Sequence, residues 1–482
     1  MYLGVDGQVI PGASLDGALA AAIPGTPAAL VHLAERYGQL PVKESLAPAI
    51  YLARQGFQIT PRYRKLAASR LDALKRFPST AKVFLRDGQV PAEGETMTQP
   101  DLATTLERLA HEGTAGFYQG PVAEALVSGV REAGGIWTLQ DLARYRVVER
   151  PPIRGEYGSV HITSASPPSS GGVALITALN ILSGYPLARL DPITRKHLVI
   201  EALRRAYHDR ARYLGDPDRV EVPVARLIHP FYAAGLRTSL RLDRATRSAE
   251  LAPVAEAISG EGGKGVQTSH FSVLDSAGNY VAATVTINHP FGSAFTAPGT
   301  GVLLNDEMDD FSPQPGLPNA YGLIGAEANA IAPGKRPLSS MSPTFLASAE
   351  RTAILGTSGG SRIISMMLLA VLDFVAGTDP HAWVAAPRFH HQYLPDEVQY
   401  EPGALSPEQL TGLMRLGHPL RPLEEPYGNM QALLWDRGRV LAASDPRGEG
   451  SAQVRVIERR DDRVRKLGRS FSTGEPMGSR SP

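Results

Sequence analysis

Thr268 stands where a glycine-dense run, Ser259-Gly260-Glu261-Gly262-Gly263-Lys264-Gly265, gives way to alternating β-type sequence. A threonine hydroxyl is a weak nucleophile until a base activates it, and a free N-terminal amine is one such base. Backbone cleavage between Gln267 and Thr268 would put that amine on the nucleophile itself. Residues 270–275 and 280–287 read as a β-hairpin around Ser276-Ala277-Gly278-Asn279. A three-residue turn over 276–278 sets Thr268 opposite Thr286, whose hydroxyl could orient it. A four-residue turn sets it opposite Ile287 instead. Threonine is also simply common in strands, and these residues alone fit that plainer reading.

Four further groups could do chemistry. Gly359-Gly360-Ser361 joins a strand-like run to an apolar helix. Backbone N–H groups there could form an oxyanion hole, although a tight turn also needs glycine. Asp306, Glu307, Asp309 and Asp310 crowd one short loop; a bound ammonium would offset their repulsion, Ca²⁺ is a competing ligand, and a solvated acidic loop is the plain alternative. Ser339 and Ser340 could grip a carboxylate, or serve only as turn residues beside proline. His390 and His391 read as a structural pair, since no third ligand has metal-site spacing.

These groups need elements to hold them. Apolar spacing predicts helices near 41–57, 102–112, 121–133 and 194–214, with Asp101 and Asp191 at helix entries. Strands are expected over 159–166, 343–348, 352–357, 430–435 and 439–443. Helices follow at VALITALNIL and at 361–377, the latter buried on every side. Helices flanking antiparallel hairpins give a layered α/β sandwich. Of 482 residues 43% are hydrophobic, enough for a large core, and 49 basic against 48 acidic residues exert no global pull on nucleic acid. The absence of cysteine excludes disulfides and thiolate chemistry. No apolar run reaches the ~18 residues of a membrane span. The N-terminus lacks the basic and apolar regions of a secretory signal, which leaves a cytoplasmic chain if Met1 is the true start.

Taken in order, QTSHFSVLDSAGNYVAATVTIN (267–288), GVLLNDEMDDFS (301–312), PGLPNAYGL (315–323), KRPLSSMSPT (335–344) and GTSGGSRII (356–364) resemble the γ-glutamyltransferase family. PGTPAAL (24–30), PPSSGG (167–172), YLGDPD (213–218) and APRFHHQYLPDE (386–397) extend the resemblance over roughly residues 1–447. It implies a four-layer αββα N-terminal-nucleophile hydrolase sandwich, made as a precursor that cuts itself before Thr268. A large-subunit-like region then spans 1–267, with a flexible end over 246–267, and a small-subunit-like region spans 268–450; the two pieces stay associated as a heterodimer. By the same resemblance Thr268 is nucleophile and base, and Thr286 positions it. Asn288, Glu307 and Asp310 hold the substrate α-ammonium, and Ser339 and Ser340 its α-carboxylate. Gly359 and Gly360 form the oxyanion hole, and Tyr321 is a lid. The implied chemistry is γ-glutamyl transfer to water, amino acids or peptides from glutathione-like compounds, without metal or organic cofactor, in a periplasmic or secreted protein. A glutaryl or cephalosporin acylase is the enzymatic rival; an inactive, truncated precursor is the other.

The chain departs from the family pattern in three places. Relatives are expected to carry about a hundred further N-terminal residues, supplying an export signal, part of the sandwich and a carboxylate-binding arginine. Ser339 and Ser340 are therefore expected to work without a cation. Residues 451–482 read as a basic tail, disordered after about residue 465. His289-Pro290 replaces the small hydroxylated residues more usual after Asn288, with a consequence for acceptor preference.

Overall fold

The computed structural model describes residues 1–254 and 268–456. Gln267, the glycine run 259–265 and the tail from residue 457 lie outside the described residues.

Six strands, each antiparallel to the next, form the central sheet in the order Arg439–Ser444, Gln431–Asp436, Arg351–Gly356, Thr344–Ala347, Val160–Ser164, Ile153–Tyr157. Ile162, Leu346, Ala353, Leu355 and Leu434 turn to one face and share a core with the helices Gly171–Leu182, Pro192–Tyr213 and Ile363–Val375. Alternation supplies that face, because side chains two apart on a strand point the same way. Gly171–Leu182 is buried at every position; its two polar side chains, Thr177 and Asn180, donate to the Leu227 and Ile228 carbonyls at 3.0 and 2.7 Å. Ile363–Val375 is preceded by a 3₁₀ turn, Gly360–Arg362, and is not buried on every side: its last turn surfaces, with Val375 43% exposed.

Pro192–Tyr213 starts where Asp191 accepts the N–H groups of Ile193 and Thr194, both at 3.0 Å, with proline at the first helical position. Asp101 has no such role. It lies in the first turn of Pro100–Glu112, whose N-cap is Gln99. The strand Ile153–Tyr157 was not expected; it is the sheet edge, where Arg154 and Glu156 guard unpaired backbone.

The hairpin Thr268–Leu274 with Tyr280–Thr286 covers the other face of the sheet. Ser272 Oγ donates to the Ile354 carbonyl at 3.1 Å, and the His270 ring lies where any side chain on Gly356 would stand. The turn is the three-residue form. Asp275 accepts N–H groups from Ala277 and Asn279 at 2.9 and 2.8 Å, and Gly278 takes φ +87°. The outward side of the hairpin is apolar and half-exposed at Phe271, Val273, Val281 and Val285.

The helical first half builds two more cores. Thr26–Arg36, Pro100–Glu112 and Gly120–Glu132 enclose Phe295, Ala297 and Leu304, while Pro61–Ser69 and Leu71–Arg76 close on Ala294 and Phe291. Both grip the chain between the hairpin and the acidic loop. The described part of the segment read as a flexible end, 246–254, is tied down: Ser248 donates to the Tyr393 carbonyl at 2.6 Å and to Asp396 at 2.7 Å.

Candidate active site

The hairpin register places Thr268 directly opposite Thr286. Thr268 Oγ1 donates to Thr286 Oγ1 at 3.2 Å, and Thr286 Oγ1 accepts the Asn288 N–H at 2.8 Å. Asn288 bends the chain out of the strand at φ +74°, a conformation asparagine tolerates better than most residues. Its buried amide donates to the Asp306 carbonyl at 3.1 Å and accepts the Tyr321 hydroxyl at 2.8 Å. The Tyr321 ring in turn lies against Gly360, where a Cβ would collide with it, and Gly359 and Gly360 both have positive φ. Thr268, Thr286, Asn288, Tyr321 and Gly360 thus form one chain of contacts. His270 shares the inner face with Thr268, but burial lowers its pKa to about 4 and both ring nitrogens are bonded. It is a neutral structural group.

The acidic loop is held from the helical half. Asn305 accepts the Ala22 N–H at 3.0 Å, donates to the Ala22 carbonyl at 2.9 Å, and accepts the Glu307 N–H at 3.0 Å. Asp306 spends its oxygens on the His289 N–H (3.0 Å) and ring Nδ1 (2.7 Å), and Asp309 on Ser14 (2.7 Å) and the Ala320 N–H (3.0 Å). Two acids are left. Glu307 Oε1 is buried without a hydrogen-bond partner. Burial raises the pKa of Glu307 well above the carboxylate range, with Asp310 and Asp306 adding to it; burial and Asp309 raise Asp310 to about 7. Two buried carboxyl groups this close resist ionising together unless a cation joins them. Two carboxyls fall well short of the about six to eight oxygens Ca²⁺ takes, whereas a small ammonium matches them.

Ser339 and Ser340 are laced to the 167–172 segment. Ser170 gives both its N–H (2.8 Å) and its hydroxyl (2.7 Å) to the Ser339 carbonyl, and the Ser339 N–H donates to Pro168 at 2.8 Å. The serine pair, expected to work without a cation, has a buried arginine beside it. Arg210, buried on the long helix, donates from Nε to Ser170 Oγ at 3.0 Å and from its terminal nitrogen to Ser340 Oγ at 3.4 Å. Burial lowers its pKa, while the charges of Tyr207 and Asp310 act the other way; arginine keeps its proton throughout.

Arg210 and Ser170 were not picked out by sequence as site residues, Asp306 was read only as one of four crowded acids, and His289 only as a departure after Asn288. A usable signal for the first was present: 194–214 carries more charged residues than one solvent-facing stripe accounts for, and Glu201, Arg204, Arg205 and Arg210 are all buried. His390 and His391 are structural, as read. His390 bonds Ser365 and Gln392 at 2.6 and 2.8 Å, and His391 bonds Asp396 and the Tyr393 N–H at 3.2 and 3.1 Å.

Comparison with known proteins agrees with this geometry. The family described as Gamma-glutamyltranspeptidase matches residues 1–455. A glutathione hydrolase proenzyme of Pseudomonas sp. (strain A14) is 41% identical over 462 residues, covering 93% of this chain and 79% of that protein. One of Escherichia coli (strain K12) is 38% identical over 453 residues, covering 93% and 77%. Among solved structures, a cephalosporin acylase from Bacillus halodurans superposes with a TM-score of 0.77 at 25% identity, covering 90% of this chain and 78% of that one. The sandwich fold implied by the resemblance is the fold found. The chain is an enzyme of the γ-glutamyltranspeptidase family.

Proposed function

We propose that this protein hydrolyses glutathione and related γ-glutamyl compounds, and transfers their γ-glutamyl group to amines, through an ester on Thr268 Oγ1. Cleavage of the bond between Gln267 and Thr268 frees the Thr268 amine. The amine takes the hydroxyl proton as Oγ1 attacks the substrate γ-carbonyl, with the Gly359 and Gly360 N–H groups receiving the developing oxyanion. Amine leaving group departs with that proton, and water or an acceptor amine then opens the ester. Thr286 orients the nucleophile, Tyr321 covers the pocket, and Asn288, Glu307 and Asp310 take the α-ammonium. Ser339 and Ser340, backed by Arg210, take the α-carboxylate.

The observation that carries this reading is the unpartnered, buried Glu307 oxygen beside Asp310, at the end of the contact chain that begins at Thr268. An acylase acting on glutaryl amides has no ammonium to satisfy these acids. The names of the relatives, glutathione hydrolase proenzyme, point the same way. The pieces 1–267 and 268–482 remain a heterodimer, supported by one core drawn from both. No helix among the described residues is long and apolar enough to cross a membrane, and a periplasmic or secreted location is the one the family resemblance implies. Side-by-side assay of γ-glutamyl and glutaryl p-nitroanilides tests the substrate: γ-glutamyl preference is expected, and glutaryl preference would overturn the assignment in favour of an acylase.

A further inference from the structure

His289 follows Asn288 and is placed by two independent contacts. Its N–H and ring Nδ1 engage the two oxygens of fully buried Asp306, at 3.0 and 2.7 Å. Its ring stacks on Tyr321, with centroids 4.8 Å apart and planes 13° from parallel. The imidazole therefore joins the acidic loop to the residue that lies on Gly360 and bonds Asn288.

We propose that His289 is a positioning residue for the ammonium pocket: its imidazolium, held on Asp306 and stacked on Tyr321, is the internal cation that lets Glu307 and Asp310 meet a substrate as carboxylates. This rests on the reading of Glu307 and Asp310 as ammonium contacts. Charged and titratable groups face it from several elements. The loop contributes Asp306, Glu307, Asp309 and Asp310, and the 319–323 turn contributes Tyr321. From the long helix Arg210 acts on Asp310. From the helical half Arg70 donates to the Pro290 and Gly292 carbonyls at 3.1 and 3.0 Å, and Asp16 pairs with it at 2.7 Å. Arg70 is thus already matched by Asp16, whereas His289 answers the acidic loop.

Burial works against charge on His289, but the Asp306 hydrogen bond and the neighbouring carboxylates outweigh it, so its pKa stands above the ordinary imidazole value. The imidazolium is therefore present below that raised pKa and is lost as pH rises through it. While present, it lowers the pKa values of Asp309 and Asp310. Taking the cation away makes Asp310 harder to ionise, so the pocket fills with substrate only at higher pH.

The test compares wild type with His289→Gln, which removes the stacked ring and the charge, and His289→Phe, which keeps a ring without charge. With γ-glutamyl p-nitroanilide, both are expected to move the acidic limb of kcat/KM upward by about one pH unit, as loss of a neighbouring opposite charge does. At a pH on that limb this reads as about a tenfold rise in KM, with kcat little changed. Histidine NMR of the wild type, which needs no folded variant, is expected to show His289 titrating above free imidazole; Asp306→Asn should bring it down. An unshifted pH profile in both His289 variants, or an ordinary or lowered His289 titration, would overturn the proposal. Failure of the underlying reading looks different: Glu307→Gln and Asp310→Asn would then leave KM for the γ-glutamyl substrate unchanged.

Discussion

At the scale of single residues, burial holds the carboxyl groups of Glu307 and Asp310 back from ionising. Asp310 is an acid whose folded pKa, about 7, lies above its ordinary value because of burial and Asp309. The folded state therefore binds a proton that the unfolded state releases, and stability falls as pH rises from the ordinary carboxyl pKa to the raised one. Asp310→Asn should consequently be more stable than wild type at pH 8, on the order of 2–4 kcal/mol, with the difference vanishing near pH 4. Thermal unfolding of both proteins across that range checks it. Much of the site was legible at this scale. Thr268, Thr286, Asn288, Glu307, Asp310, Tyr321, Ser340 and the glycine pair stand in the family-like motifs, and contacts join Thr268, Thr286, Asn288, Tyr321 and Gly360. Arg210 was not, because the charge excess along 194–214 signals that some of its charged residues turn inward without saying which. The register was left between Thr286 and Ile287 because turn length alone separates them; the Asp275 hydrogen bonds and Gly278 select the shorter turn.

At the scale of elements, the hairpin carries the proposed nucleophile, the acidic loop carries the proposed ammonium pocket, and the helical half joins them. Asn305 is the main rivet, with three hydrogen bonds to the Ala22 and Glu307 backbone. Asn305→Ala leaves those part-buried groups unpaired, at a cost of about 1–3 kcal/mol. It should also raise KM for the γ-glutamyl substrate more than it lowers kcat, since the loop carries Glu307 and Asp310 but not Thr268. Denaturant unfolding beside steady-state kinetics separates the two effects. Sequence periodicity located the long helices and seven of the strands, because each presents one apolar face to one core. It missed Ile153–Tyr157, whose charged alternate positions suit a sheet edge but weaken the strand signal.

At the scale of the whole molecule, the proposed cut falls between two pieces that no single surface separates. The 171–213 helices pack with the 344–375 strands and helix in one core. Phe295, Ala297 and Leu304 sit in another core whose other buried members come from the first half. Thr105 also donates to the Thr300 carbonyl at 2.7 Å across the two pieces. Cleavage before Thr268 should therefore leave both pieces in one particle on gel filtration. The most direct test of the central claim, that Thr268 is a self-exposed nucleophile, is intact mass with N-terminal sequencing of purified protein beside a Thr268→Ala control. The expected result is one fragment ending at residue 267 and another beginning Thr268-Ser269-His270, with the control uncut. A wild-type chain that stays whole like its control, or one cut elsewhere, would contradict it.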